Sequence, residues 1–307
     1  MARRFCFSAC VTIGINTPSA PVITQLDESG DSRASIAVQP GERLKTLSEH
    51  LPNIVLRVAA DGDYAKKPFI QKLPAGVNLV SRIRRNATLH ALPTAEQMQS
   101  THGGRRRQKG DRLEPPSRLA ASFEASAWSS QTFRRQGYRV VRLIAGMTCL
   151  WHRVCGYRLI RLVIVRDPTG KEPDDVFFCT DASTPDVQIV QRFFDRWGVE
   201  EAIYEAKTFL GFEETRGWCS KTVHRQAPLA LLLVTLIKVW YIRCREKGIA
   251  FEPKIMPWQT GKTQPTFGDM LESLRRVLWA DQRSFKIRFI GQMKQWWLKV
   301  LDALAAA

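Results

Sequence analysis

Two apolar runs constrain this chain more than any other feature. Ile54 to Ala60 and Val77 to Ile83 are almost unbroken stretches of apolar residues. Runs of that length and composition belong to strands buried on both faces. Tyr64 to Leu73 between them reads as a helix, so the order β-α-β predicts a parallel pair with a crossover connection. The first run ends in Asp61-Gly62-Asp63-Tyr64, which delivers a carboxylate to the carboxyl edge of a sheet, where α/β proteins form their sites. Taken alone, an aspartate there is more often a helix cap.

The surrounding chain fits an α/β protein with an inserted β region. GERLKTLSEHLP (41–52) reads as a short helix stopped by Pro52, while residues 1 to about 40 keep no period and offer only Val22 to Leu26 as a short strand. From Arg82 to Arg142 the sequence is loop-like, with thirteen Lys or Arg against four acids, and its sharpest piece is GGRRRQKGDRLEPP (103–116). A solvated loop explains that piece as well as a phosphate-tracking one. Tyr138 to Leu150, Tyr157 to Val165 and Asp175 to Thr180 read as an antiparallel meander. Pro185 opens a long helical stretch, a buried helix covers 222–247, a Pro- and Gly-rich linker covers 252–268, and a last helix starts near Asp269.

Composition narrows the partners. The 307 residues carry a formal charge of +17, which points to a polyanion, most simply nucleic acid. The seven cysteines show no C-x-x-C pair, which argues against a disulfide framework or a zinc ribbon. His152 and Cys155 have the spacing of metal ligands but sit in an apolar run, where a structural role is the commoner one. MARRFCFSACVTIG is too brief and broken in its apolar run for a signal peptide, and Ala227 to Ile242, with Lys238, reads as a core helix and not a membrane span. The expected setting is cytoplasmic, with no membrane partner.

FFDRWGVEEAIYEAK (193–207) is chemically odd. On a single helix Phe193, Arg196, Glu200, Tyr204 and Lys207 fall at offsets 0, 3, 7, 11 and 14 and return to one stripe. A core stripe would be apolar, and a solvated one would seldom keep aromatics in register. A carboxylate between two cations suits an acid held ionised beside an anionic ligand. Asp61 and Glu200 together could hold Mg²⁺, which takes one or two carboxylates plus phosphate oxygens. A basic chain with that pair suggests a metal-dependent nuclease or DNA strand-transfer enzyme.

At these residues the sequence resembles the DDE transposases of bacterial insertion sequences, in the group with a Tyr-Arg-Glu-Lys signature. Phe193, Arg196, Glu200 and Lys207 match each spacing of that signature, with Phe in place of Tyr. DGDYAKKPF (61–69) and LVSRIRRNATLH (79–90) resemble the second-aspartate strand and the strand after it, and KGDRL, IVRDP and FFCTD resemble the β insertion. The resemblance implies an RNase H-like core with a β insertion, and DNA cleavage and strand transfer at transposon ends and target with Mg²⁺ (or Mn²⁺). It also implies oligomers on DNA, such as a homodimer. Asp61 and Glu200 would be metal ligands and catalytic carboxylates. Arg196, Lys207 and Phe193 would face DNA, and Arg105, Arg106, Arg107 and Lys109 would track its backbone.

The matching division of the chain is a segment 1–40 unrelated to the core, core residues 41–90, a basic loop and β insertion at 91–183, core completion at 184–250, and a linker with C-terminal helices at 251–307. The family's first aspartate has no clear place. Asp27 ends a strand-like run, but 34 residues before Asp61 leave little room for two strands and a helix. The expectation is an N-terminally truncated or frameshifted transposase with little or no strand transfer, and with the strand at 54–60 left with an open edge. The alternatives are a catalytically dead DNA-binding derivative acting as an inhibitor, and a non-functional fragment.

Overall fold

The computed structural model describes residues 6–13, 20–24, 41, 44–50, 55–98, 107–136, 138–214, 220–251, 262 and 265–280. The chain divides into two compact units, Met1–Glu200 and Glu201–Ala307. Asp27, Arg105, Arg106 and the C-terminal tryptophans Trp296 and Trp297 lie outside the described residues.

The first unit is mixed α/β. After β1 (Cys6–Ile13) and β2 (Ala20–Thr24) comes a helix, α1, at residues 44–50. The two apolar runs then form β3 (Leu56–Ala60) and β4 (Val77–Arg82), paired in parallel as expected. Their connection is less helical than the sequence suggests: a 3₁₀ turn at Gly62–Tyr64 and one helical turn, α2 (Lys67–Ile70). Short turns α3 (Ala95–Met98) and α4 (Pro116–Leu119) lead to β5 (Ser129–Arg135). The meander follows as β6 (Tyr138–Leu150), the turn α5 (His152–Cys155), β7 (Leu159–Arg166) and β8 (Asp175–Cys179). The sheet runs in the order β2-β1-β3-β4-β8-β7-β6-β5.

Two findings correct the sequence reading. β1 pairs antiparallel with β3 along Ala9–Ile13 and Leu56–Ala60, so the edge expected to be open is closed, and β1 with β2 occupies a segment read as largely irregular. β5 lies within the stretch read as loop. It buries only Phe133 and becomes a strand through its seven-residue pairing with β6.

Helix α6 (Asp186–Asp195) packs on one face of the sheet. Ile189, Val190, Phe193 and Phe194 meet Val80, Phe133, Ile144, Val163, Val165, Phe177 and Cys179. Its first turn is fixed by a bidentate pair, with Arg161 on β7 donating to Asp186 at 2.7 and 2.8 Å. Gly146 on β6 makes room for this contact, since any Cβ there would collide with the Asp186 carboxylate. The opposite face is covered by Leu44, Tyr64, Phe69, Leu89, Leu119 and Trp151 over Val58, Leu79, Leu162 and Phe178. Cys149 and Cys155 are buried there and free, and burial pushes both thiols up to about 12, which fits the structural reading of Cys155.

The second unit is helical, comprising α7 (Gly198–Leu210) from Glu201 onward, α8 (Ser220–Glu246) and α9 (Phe267–Ala280). Ala227, Ala230, Leu231, Val234, Ile237 and Tyr241 form the buried stripe of α8, while Leu229, Leu233 and Ile242 are exposed. Arg225–Glu246 is long and apolar enough to cross a membrane by length and composition, and a third of its apolar window is buried. Lys238 in that window pairs with Glu205 at 2.6 Å. A capping box starts α9, with Thr266 N–H donating to Asp269 at 2.7 Å and Asp269 N–H to Thr266 at 3.4 Å.

Gly146→Ala should therefore destabilise the first unit by about 1–3 kcal/mol through overpacking against Asp186, read from the midpoint of a denaturant melt. A second check concerns the β7–β8 turn. There the Thr169 hydroxyl and N–H, the Glu172 N–H and Arg142 hold the Asp167 carboxyl down to about 2. A carboxylate with a depressed folded pKa adds stability above its unfolded pKa of about 3.9 and loses it as pH falls through the folded value. The stability gap between the native chain and Asp167→Asn should be full at pH 7, shrink as pH falls below about 4 and be nearly closed at pH 2.

Candidate functional site

Asp61 follows β3 at the carboxyl edge of the parallel pair. Its side chain caps the 3₁₀ turn by accepting the Gly62 N–H at 2.7 Å and is otherwise exposed. The turn is tied to β4, because the Asp61 carbonyl accepts the Ser81 hydroxyl at 3.0 Å and Gly62 lies against the Arg82 carbonyl. Arg82, the last residue of β4, donates to Asp175 on β8 at 3.0 Å. Its guanidinium carbon lies 5.6 Å from the centre of the Phe193 ring and 5.9 Å from that of Phe177.

Phe193 arrives at the same place from α6. It is 8% exposed and stacks on Phe177, with ring centres 4.3 Å apart. The Arg196 guanidinium lies 5.6 Å from the Phe193 ring centre and pairs with Glu200 at 3.2 Å. The Glu200 side chain is 38% exposed, whereas that of Arg196 is 14% exposed and its Nε is buried without a hydrogen-bond partner among the described residues. A run of contacts therefore leads from the Asp61 turn through Arg82, Phe193 and Arg196 to Glu200. No hydrogen bond or ion pair joins Asp61 to Glu200 directly, and among the described residues no three His, Cys, Asp or Glu side chains gather as a metal cage.

The single helix expected from Phe193 to Lys207 is two helices. Between α6 and α7 the N–H groups of Arg196, Trp197, Val199 and Glu200 bond three residues back, the pattern of 3₁₀ turns. Residues three apart eclipse in such a turn, which keeps Arg196 over Phe193. Lys207, in the second unit, pairs with Glu213 at 2.6 Å, and Tyr204 is exposed. Of the basic loop, Arg107 pairs with Asp111 at 2.7 Å and donates to the Lys109 carbonyl, while Lys109 itself is exposed.

Arg82 is the residue at this edge that the sequence reading did not single out. Its only signal was its position, the one cation inside the second apolar run. Its distance from the signature hid its packing on Phe193.

The two carboxylates are hard oxygen donors of the kind Mg²⁺ takes, and Mg²⁺ accepts one or two of them when phosphate oxygens complete its shell. Asp61 is open to such an ion, and Glu200 would exchange its partner Arg196 for it. The donor set thus fits a divalent cation bound together with a phosphate.

Successive contacts thus link Gly62, Arg82, Phe193, Arg196 and Glu200. The chain belongs to the transposase DDE domain family, whose model matches residues 31–236. The match takes in β3 to β8, α6 and α7, and leaves β1 and β2 outside it. No curated protein matches the chain.

Phe193→Ala should cost about 3–5 kcal/mol of stability by removing a buried ring. Phe193→Tyr keeps the stack and should cost far less. Thermal or denaturant melting of the two variants checks this order.

Proposed function

We propose that this chain is a DNA-acting transposase domain with an RNase H-like core, working at the carboxyl edge of β3 and β4. The observation that carries the reading is the contact run from Asp61 through Arg82, Phe193 and Arg196 to Glu200, within the span matched by the family. Asp61 and Glu200 hold a divalent cation, Mg²⁺ or Mn²⁺, together with a phosphate of insertion-sequence end DNA. Bound there, such an ion supplies positive charge to polarise the scissile phosphate.

The chain's own residues do the placing. Arg196 has an unused Nε and a guanidinium already desolvated on an aromatic face, so it turns from Glu200 to an arriving phosphate with little side-chain ordering left to lose. The release of Glu200 by Arg196 frees the carboxylate when DNA is present. Phe193 sets the height of Arg196 and Arg82 above the sheet and, lacking a hydroxyl, contributes shape alone. Lys207 contacts DNA as a point charge after leaving Glu213, and the basic loop with Arg105, Arg106, Arg107 and Lys109 follows the backbone further on.

A second reading has support from one contact. With Glu200 held by Arg196, the chain can retain DNA without cutting it, as an inhibitor of strand transfer would. One assay separates the two. Mg²⁺-dependent nicking of insertion-sequence end DNA that falls at least 100-fold in Glu200→Gln and Asp61→Asn, with DNA affinity in EDTA unchanged, supports the enzymatic reading. DNA binding without nicking by the native chain supports the second, and nicking unaffected by either variant excludes the proposed site.

A further inference from the structure

The β5–β6 ribbon has a feature that the proposed edge does not use. β6 pairs with β5 from Tyr138 to Ile144 but with β7 only from Leu143 onward. Residues 138–142 and their partners 131–135 therefore form a two-stranded ribbon that projects beyond β7, about 17 Å long at strand rise.

Its two faces differ in charge balance. On the inner face Phe133 and Val140 pack toward α6, Arg135 and Arg142 both pair with Glu172 at 2.8 Å, and Arg142 also pairs with Asp167. On the outer face Arg134 and Arg139 stand directly opposite each other in the register, beside Thr132 and Val141. Both arginines are exposed, and neither guanidinium has an ion pair or hydrogen bond among the described residues. Asp195 attracts Arg134 through space without pairing with it. Like charges directly opposite in a ladder destabilise it. At the tip Tyr138, opposite Arg135 and therefore on the inner-face side of the ribbon, is 75% exposed, whereas Phe133, Phe177 and Phe178 are buried.

We infer that this ribbon is a binding finger for duplex DNA. Arg134 and Arg139, side by side on its outer face, contact the phosphates that border a groove. A two-stranded ribbon fits the major groove, and a polyanion relieves the Arg–Arg repulsion that the free protein carries. The Gln191 side chain on α6 accepts from the Arg134 N–H and donates to the Arg134 carbonyl, each at 3.0 Å, which braces the outer edge of the finger and holds it rigid before DNA arrives. The choice of duplex DNA rests on the proposed function, but the surface does not involve Asp61, Glu200 or a metal.

The test is binding of the full chain to a random-sequence duplex of 30 base pairs in EDTA, followed by fluorescence anisotropy across a salt series. R134A/R139A should weaken binding on the order of 30-fold at about 0.15 M salt and lower the slope of log K against log salt by about 1.8, the effect of two lost phosphate contacts. Y138A, on the opposite face of the ribbon, should change affinity by less than about threefold and leave the slope unchanged. The melting temperature of R134A/R139A should be unchanged or raised, since the repulsion is gone. K72A/R153A, which removes two exposed cations elsewhere in the same unit, should change affinity by less than about threefold. Equal losses in both double variants, or an unchanged slope in R134A/R139A, would overturn the assignment. Because the assay contains no divalent ion, its failure is separate from a failure of the nicking assay.

Discussion

The arrangement at the sheet edge depends on how α6 is seated. The helix approaches closely at its first turn because Gly146 leaves room for Asp186 to take both arms of Arg161, and at its last turn Phe193 lies flat on Phe177. These two contacts fix the helix at both ends. The 3₁₀ turns that follow then have one direction available, and they put Arg196 on the outer side of Phe193 with Glu200 beside it. A buried aromatic stack here determines where a charged pair can stand.

The same sheet is completed from outside the family's matched span. β1 covers β3 by antiparallel pairing, so the strand that delivers Asp61 is held on both sides, by β1 and by β4. A parallel strand has little reason to accept an antiparallel neighbour except that its unpaired N–H and C=O groups need partners. Residues 6–13, short and β-prone, satisfy them.

What the sequence revealed follows the physics of burial. β3, β4, β7 and β8 were legible because strands buried on both faces must be apolar nearly throughout, whatever they pair with, and β6 because its apolar second half continues the same pattern. β5 was hidden because SSQTFRR buries a single phenylalanine, and its strand character comes from its neighbour. The break at Arg196-Trp197 was hidden because the spacing of Phe193, Arg196 and Glu200 is compatible with both a helix and a 3₁₀ junction, and only Gly198 hinted at an interruption. The role of Arg82 was invisible for another reason: its contact with Phe193 spans more than a hundred residues and leaves no local pattern. Asp61 and Glu200 stand out in the sequence as candidates by their places at a strand end and between cations, and in the structure Asp61 caps a turn and Glu200 pairs with Arg196.

The proposed site requires Asp61 and Glu200 to share a divalent ion in the presence of DNA. Mn²⁺ binding followed by electron paramagnetic resonance on the full chain with an insertion-sequence end duplex measures this directly. The expected result is a DNA-dependent bound Mn²⁺ signal in the native chain that is lost in both Asp61→Asn and Glu200→Gln, while the duplex stays bound. A signal that persists in either variant would contradict it.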